Sequence, residues 1–222
     1  MCGIAGIASH DRGGVDEAAL RAMSAALVHR GPDDDGLAVM DGCALAARRL
    51  SIIDLAGGHQ PLAGCGGCVT VVQNGEIYNH AELRAALERR GHAFATRCDT
   101  EVLAHAYEEW GDGFVTRLRG MFALALWDRD ARRLLLARDR FGIKPLFYAA
   151  RGAALSFASE LGALARAPGF SRELDPDAVE AFLAFNSIPA PLSAYRAARK
   201  LPPGHILAWR AGAARIARYA RP

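Results

Sequence analysis

The sequence lacks any long hydrophobic run. Its strongly apolar stretches, such as Met121 to Trp127 and Val69 to Val72, fall far short of the roughly 18 residues that a membrane-spanning helix requires. The first residues contain no basic region and reach His10 before the apolar core of a signal peptide could form. These absences predict a cytoplasmic protein that does not bind or cross a membrane.

The chain also has few lysines and a small net charge. Lys144 and Lys200 are the only lysines among 27 basic residues, and the net charge is +3. The arginines are dispersed, and no recognised nucleic-acid-binding motif accompanies them, so no nucleic-acid partner is expected. With 222 residues, 51% of them hydrophobic, the chain is too apolar for disorder and long enough for one large core.

Cysteine occurs in an odd number, five, in a chain without an export signal, so we expect reduced thiols and no disulfide framework. Cys65 and Cys68 have the spacing of redox or zinc sites, but no second pair completes a tetrahedral site. Flanking glycines favour a tight turn there, with metal or redox use as the alternative. No metal site is predicted elsewhere, because the other candidate ligands show no ligand spacing: His29, His59, His80, His92, His105 and His205.

Local patterns predict alternating helices and antiparallel strands. A buried first strand is expected over Cys2 to Ala8, and the Pro- and Gly-containing acidic segment Arg30 to Gly36 is expected to be a loop. Apolar runs around Cys43 to Ile53 and Val69 to Val72 indicate further strands. Hairpins are expected from the pairs Met121–Trp127 with Arg133–Ala137 and Leu146–Ala149 with Ala154–Ala158. Helices are expected from a cap at Asp16 to His29, from Asn79 to Gly91, and from Thr100 to Trp110.

Cys2 is the most informative residue. It directly follows Met1, whose removal would place a thiol and a free α-amine on one residue. The unperturbed pKa values are about 8 for the amine and about 8.5 for the thiol, so the amine can take the thiol proton near neutral pH. Such a residue is a nucleophile that carries its own base. The alternative interpretation is a small buried residue of the first strand.

Six motifs follow one another along the chain. They are Cys2-Gly3-Ile4-Ala5-Gly6, His29-Arg30-Gly31-Pro32-Asp33, Arg48-Arg49-Leu50-Ser51-Ile52-Ile53-Asp54, Asn74-Gly75-Glu76-Ile77-Tyr78-Asn79, Asp99-Thr100-Glu101-Val102, and Arg138-Asp139 to Gly142-Ile143-Lys144-Pro145-Leu146. Together they resemble the class II (N-terminal nucleophile) glutamine amidotransferase domains, most closely the glutaminase domain of glutamine-hydrolysing asparagine synthetases. The resemblance covers essentially the whole chain. It implies an α+β fold of the N-terminal nucleophile hydrolase type, an αββα sandwich of two antiparallel sheets flanked by helices.

The resemblance also implies a mechanism. Cys2 is the expected nucleophile, and the Asn74 side-chain amide and the Gly75 backbone N–H are the expected oxyanion hole. Glutamine would form a γ-glutamyl thioester on Cys2, release ammonia and be hydrolysed to glutamate, with the Cys2 amine as base and then acid. Taken alone, Asn74-Gly75 would be an ordinary hairpin turn.

Four residues are expected to bind the substrate. Arg49 can hold the glutamine carboxylate through a bidentate fork. By resemblance, Glu76 and Asp99 accept from the substrate α-amino group. Ile52 is the fourth residue expected to bind the substrate. Cys98 stands before Asp99, where the family more often has serine.

No nucleotide-binding sequence is present. The chain lacks the Ser-Gly-Gly-x-Asp-Ser loop of the family's synthetase domain and any Walker sequence. We therefore expect no cofactor for this chain, with ATP and Mg²⁺ used only by an absent synthetase domain. The predicted organisation is a glutaminase core over residues 1–170 and an extension over 171–222 that either wraps the core or leads toward that domain.

The expected partners are glutamine and a synthetase domain or subunit, in cis or in trans, and a homodimer stays open. Two function classes also stay open. The chain is either an enzyme that supplies ammonia for asparagine biosynthesis or another acceptor, or a non-catalytic regulatory or assembly subunit of the same fold.

Overall fold

The computed structural model describes residues 2–11, 14–50, 54 and 57–221, and of Cys65 the backbone alone. Its strands form two six-stranded sheets in which all neighbours are antiparallel. The first sheet contains, in spatial order, β10 (Arg199–Lys200), β8 (Phe147–Arg151), β9 (Ala154–Ala158), β1 (Gly3–Ser9), β3 (Cys43–Arg49) and β2 (Asp34–Met40). The second contains β12 (Ala213–Arg218), β11 (His205–Arg210), β7 (Arg133–Arg138), β6 (Gly120–Asp128), β5 (Val69–Ile77) and β4 (Leu62–Ala63).

Helices cover the outer faces of both sheets. They are α1 (Glu17–Ala25), α2 (His80–Glu88), α3 (Asp99–Trp110) and α4 (Leu161–Leu164). A fifth helix, α5 (Pro176–Phe185), is mostly exposed, and 3₁₀ turns lie at Cys65–Gly67 and Gly111–Arg117. One apolar cluster packs α1 and α4 against the first sheet, another packs α2 and α3 against the second, and a third fills the space between the sheets. The result is the predicted αββα sandwich. No helix in the described part of the chain is long and apolar enough to cross a membrane.

The central strands are apolar along their whole length because both of their faces are covered. In β1, Ile4 and Ala8 face the other sheet, whereas Ala5 and Ile7 face α1 and α4. The two-residue period of a strand sends neighbouring side chains into different cores, which is why the sequence shows a continuous apolar run.

Several local predictions are confirmed. Both hairpins form, as β6–β7 and β8–β9, and the Asp16 carboxylate caps α1 by accepting from Ala19 N at 2.9 Å.

The expected loop over Arg30 to Gly36 is wrong in its second half, because β2 begins at Asp34 and pairs with Arg49. The edge of β3 supplies hydrogen-bond partners that the local composition does not reveal.

The segment after residue 170 adds strands to both sheets. β10 pairs with β8 in the first sheet, and β11 pairs with β7 in the second. β11 places Leu207 and Trp209 in the core between the sheets. The segment therefore contributes strands to both sheets and residues to the core between them.

Candidate active site

One pocket brings together five of the predicted site residues. It is lined by Cys2, Arg49, Gly75, Glu76 and Asp99, together with Leu50, Gln60, Cys98 and Thr100. Because β1 and β3 are antiparallel, with Gly3 opposite Arg48, the start of β1 lies beside the end of β3. β5 supplies Gly75 and Glu76 from the other sheet, and α3 begins at Asp99.

Arg30 and Ser159 hold the N-terminal end of β1. Arg30 Nε donates to the Cys2 carbonyl oxygen at 2.9 Å, and Arg30 Nη1 contacts Glu160 at 2.8 Å. Ile4 N donates to Ser159 Oγ at 3.0 Å. The pKa of Glu160 lies below its ordinary value: partial burial raises it, and hydrogen bonds from Arg30 and His29 lower it by more. These contacts fix the backbone that presents the Cys2 thiol.

The Cys2 thiol is half-buried, and its Sγ lies 3.8 Å from the Leu50 carbonyl oxygen. Burial raises the pKa of the Cys43 and Cys98 thiols. For Cys68 a hydrogen bond with Asp130 does so, with burial adding to it. All four of these described cysteines are free thiols, and of them Cys2 and Cys98 line the pocket.

Arg49 is buried at the pocket wall and donates to the Asp54 carbonyl oxygen at 2.8 Å. The Asp54 carboxylate accepts from Arg97 N at 2.8 Å and from Gly57 N at 2.9 Å, and these bonds fix the local backbone. Those backbone donors, with the Arg49 charge, keep the pKa of Asp54 below its ordinary value against a smaller opposing effect of burial. The guanidinium is thus placed before any substrate arrives.

Asp99 lies at the first turn of α3 with its carboxylate turned toward β5. Its Oδ2 accepts from Ile77 N at 2.8 Å and from Gln73 Nε2 at 3.2 Å. Gln60 fixes the same strand, because its Oε1 accepts from Gln73 N at 2.7 Å. Glu76, next along β5, is half-buried in the pocket. Two carboxylates therefore share the pocket with one guanidinium, the charge pattern that a free amino acid requires.

Asn74 is fully buried one residue before Gly75. Among the described residues, neither its Nδ2 nor its Oδ1 has a hydrogen-bond partner. Gly75 leaves no room for a side chain, because a Cβ there would lie 2.1 Å from the Met121 carbonyl oxygen. An amide without a partner and a tightly packed glycine backbone thus adjoin the wall of the pocket.

The structure does not describe every predicted site residue, and it adds site residues that the sequence did not indicate. Ile52 lies outside the described residues. Gln60, Gln73 and Glu160 were missed, because each acts through a contact distant in sequence. Between β7 and β8 the chain forms a loop, in which the Asp139 carboxylate accepts from four backbone N–H groups, those of Phe122, Phe141, Ile143 and Lys144.

A larger cavity, of about 680 Å³, lies elsewhere and is lined by residues including Arg151, Pro168 and Phe170. None of the predicted nucleophile, oxyanion or substrate-binding residues lines it. Five of the predicted site residues line the smaller pocket instead.

The fold is that of the N-terminal nucleophile amidotransferases. A glutamine phosphoribosylpyrophosphate amidotransferase from B. subtilis matches it with a TM-score of 0.69 and 21% identity, over 99% of this chain and 49% of that one. A solved structure described as the allosteric regulatory enzyme of purine biosynthesis matches equally, with a TM-score of 0.69 and 22% identity.

Residues 1–220 match the model of the glutamine amidotransferase domain, and the chain belongs to that family. Asparagine synthetase [glutamine-hydrolyzing] 2 of Bacillus subtilis is 44% identical over 178 residues, which are 79% of this chain and 24% of that protein. Asparagine synthetase [glutamine-hydrolyzing] 3 of the same organism is 34% identical over 223 residues, 99% of this chain and 36% of that protein. The chain thus spans about a quarter to a third of the length of these relatives.

Proposed function

We propose that this domain hydrolyses glutamine to glutamate and ammonia at Cys2. The observation that carries the proposal is the fully buried Asn74 amide, which has no hydrogen-bond partner among the described residues and adjoins a pocket holding a thiol, a guanidinium and two carboxylates. A buried polar group without a partner is rare in proteins and calls for an explanation. A substrate oxygen that becomes negatively charged during the reaction provides one.

Recognition of the substrate follows from the charges of the pocket. The Arg49 guanidinium binds the α-carboxylate of glutamine, and Glu76 and Asp99 accept from its α-ammonium group. With both ends of the amino acid held, the side-chain amide of glutamine is directed toward Cys2. The hydrogen bonds of Asp99 to β5 hold its carboxylate in place.

The chemical steps use only groups of this chain and water. After removal of Met1, the Cys2 amine takes the thiol proton, and Sγ attacks the amide carbon of the substrate. Asn74 Nδ2 and Gly75 N–H donate to the resulting oxyanion. The C–N bond then breaks, the Cys2 ammonium protonates the departing nitrogen, and water hydrolyses the thioester to glutamate.

We further propose that the ammonia serves an asparagine synthetase-type reaction. This rests on the glutamine-hydrolysing asparagine synthetases among the relatives and on the share of their length that the chain covers. The synthetase part would be joined in cis or supplied as a separate subunit. That part would use ATP and Mg²⁺, and this chain would need no cofactor.

The direct test is a glutaminase assay on protein whose N-terminal residue has been verified as Cys2 by mass. Cys2→Ala should abolish glutamate formation and labelling by an electrophilic glutamine analogue. The matched variant Cys68→Ala removes a half-buried thiol outside the pocket and should retain both. Full labelling and turnover in Cys2→Ala, or in protein that keeps Met1, would overturn the mechanism.

A further inference from the structure

His92, His105 and Glu108 form a cluster where α3 meets the segment after α2, and none of the three lines the pocket. His105 and Glu108 are separated by one helical turn, and His92 lies just beyond the end of α2. The His105 side chain is 1% exposed, that of His92 13% and that of Glu108 17%. Each side chain offers one ligand atom, and the three atoms lie within 4.8 Å of one another.

The three distances in this cluster match the edges of a tetrahedral metal site. His92 Nδ1 and His105 Nδ1 are 3.2 Å apart, and Glu108 Oε2 lies 3.4 Å from His105 Nδ1 and 3.7 Å from His92 Nδ1. With metal–ligand distances of about 2.0–2.2 Å, ligands on a tetrahedral zinc ion lie about 3.3 Å from one another. One ion bound at this position would contact all three ligand atoms.

The outer nitrogens of both imidazoles face carboxylates. His92 Nε2 lies 3.4 Å from Glu109 Oε2, and His105 Nε2 lies 3.6 Å from Glu101 Oε1. Metal-bound histidines commonly donate their second N–H to a carboxylate, which fixes the tautomer and increases the basicity of the ligating nitrogen. The His92 contact is within hydrogen-bond distance and leaves Nδ1 of that ring as the ligand atom. The His105 contact, at 3.6 Å, is an ion-pair distance only, and Nδ1 of His105 is the nitrogen that faces His92.

We propose that His92 Nδ1, His105 Nδ1 and Glu108 Oε2 bind one Zn²⁺ ion, with a water molecule in the fourth position. The ion would join the segment 92–98 to α3. That segment leads directly to Asp99, and Ala95 N and Thr96 N within it already donate to Glu101 at 2.7 and 2.8 Å. The metal is thus a structural element beside the amidotransferase pocket, and its binding does not depend on the proposed reaction.

The test is metal binding in a variant whose competing thiols Cys2, Cys65 and Cys68 are replaced by serine. Zn²⁺ should bind with one ion per chain in competition with a chelating dye, and Co²⁺ in its place should give the intense visible absorption of tetrahedral coordination. His92→Gln and Glu108→Gln should each weaken Zn²⁺ binding by more than tenfold, and Glu109→Gln by about tenfold. His59→Gln alters an exposed histidine that also pairs with a carboxylate and should change nothing.

Hydrogen exchange supplies a second measurement that is independent of activity. Addition of Zn²⁺ should slow amide exchange in residues 92–98 of the variant that lacks Cys2, Cys65 and Cys68, and it should leave the exchange unchanged when His92→Gln is added to that variant. The proposal is overturned if no site with one ion per chain is found, or if His92→Gln and Glu108→Gln bind Zn²⁺ as tightly as the parent. Unchanged exchange in 92–98 on saturation would overturn the role assigned to the ion.

Discussion

At the scale of single residues, two neighbouring amides of β5 have different surroundings. Gln73 Nε2 donates to Asp99, whereas neither polar atom of the Asn74 side chain has a partner among the described residues. Leaving a buried polar group unpaired costs about 1–3 kcal/mol. A reacting substrate that accepts from Asn74 would remove this cost in the transition state, which is where catalysis benefits.

Asn74→Ala should therefore lower kcat for glutamine hydrolysis by about 100- to 1,000-fold, as loss of one oxyanion donor does elsewhere. KM should change little, because the donor acts on charge that develops during the reaction. Asn79→Ala is the matched control, since the Asn79 side chain binds Arg117 O and Arg119 N outside the pocket. It should lower the melting temperature and leave kcat near the parent value. Steady-state kinetics and thermal unfolding of both variants decide the matter, and equal kcat values would refute the role of Asn74.

Arg49→Lys should raise KM for glutamine by at least about tenfold with a smaller effect on kcat, because lysine keeps the charge but loses the planar fork. The adjacent Arg48 is the control. Its Nε donates to Ser24 Oγ at 3.1 Å, so Arg48→Lys should leave KM unchanged. Initial-rate measurements over a range of glutamine concentrations give both constants. A KM unaffected by Arg49→Lys would remove Arg49 from the carboxylate site.

Glu160 makes stability depend on pH. Its pKa is lowered in the folded protein, so its stabilising contribution is fully present above the ordinary value of 4.5. That contribution is lost as the pH falls through the lower folded-state pKa. Urea unfolding between neutral pH and about pH 3 should show a larger acid loss of stability in the parent than in Glu160→Gln. Glu17→Gln, in an exposed helical pair with Arg21, should follow the parent curve. Parallel curves for the parent and Glu160→Gln would contradict the assignment.

At the scale of elements, the close contact of β5 with β6 sets the position of the Gly75 backbone. A Cβ at Gly75 would lie 2.6 Å from Phe122 Cα as well as against the Met121 carbonyl oxygen. Gly75→Ala should destabilise the protein by about 1–3 kcal/mol and reduce activity, because the two strands must separate. Gly162→Ala, in α4, meets nothing within 4 Å and should be neutral or slightly stabilising. Chemical denaturation measures both effects, and an unchanged stability for Gly75→Ala would show that the strands adjust freely.

Elements fixed by nearby residues were predictable, and those fixed by distant ones were not. The hairpin β6–β7 and the helices α1 and α3 follow from turn residues, a cap and apolar spacing within short windows. β11 was not foreseen, because it pairs with β7, some 70 residues earlier in the chain. The same holds for the site. The residues carried by motifs were identified, whereas the contact of Arg30 with Glu160 spans 130 positions. His105 and Glu108 stand one helical turn apart on α3, but His92 approaches them only through the fold.

At the scale of the whole molecule, the C-terminal strands belong to the sandwich. A chain ending at Phe170 would lose β10, β11 and β12, and with β11 the buried Leu207 and Trp209. It should fail to show a cooperative thermal transition by circular dichroism, whereas a chain ending at Arg221 should show one. A cooperative transition in the shorter chain would establish residues 1–170 as an independent folding unit.

The second sheet ends in β12, all six residues of which are exposed. An edge strand has backbone N–H and C=O groups that no neighbouring strand uses, and another extended chain can pair with them. Flat apolar edge strands are therefore sites of ordered aggregation. Arg215 and Arg218 place repelling charges along this margin. Charged side chains on an edge strand oppose its pairing with the edge of another molecule.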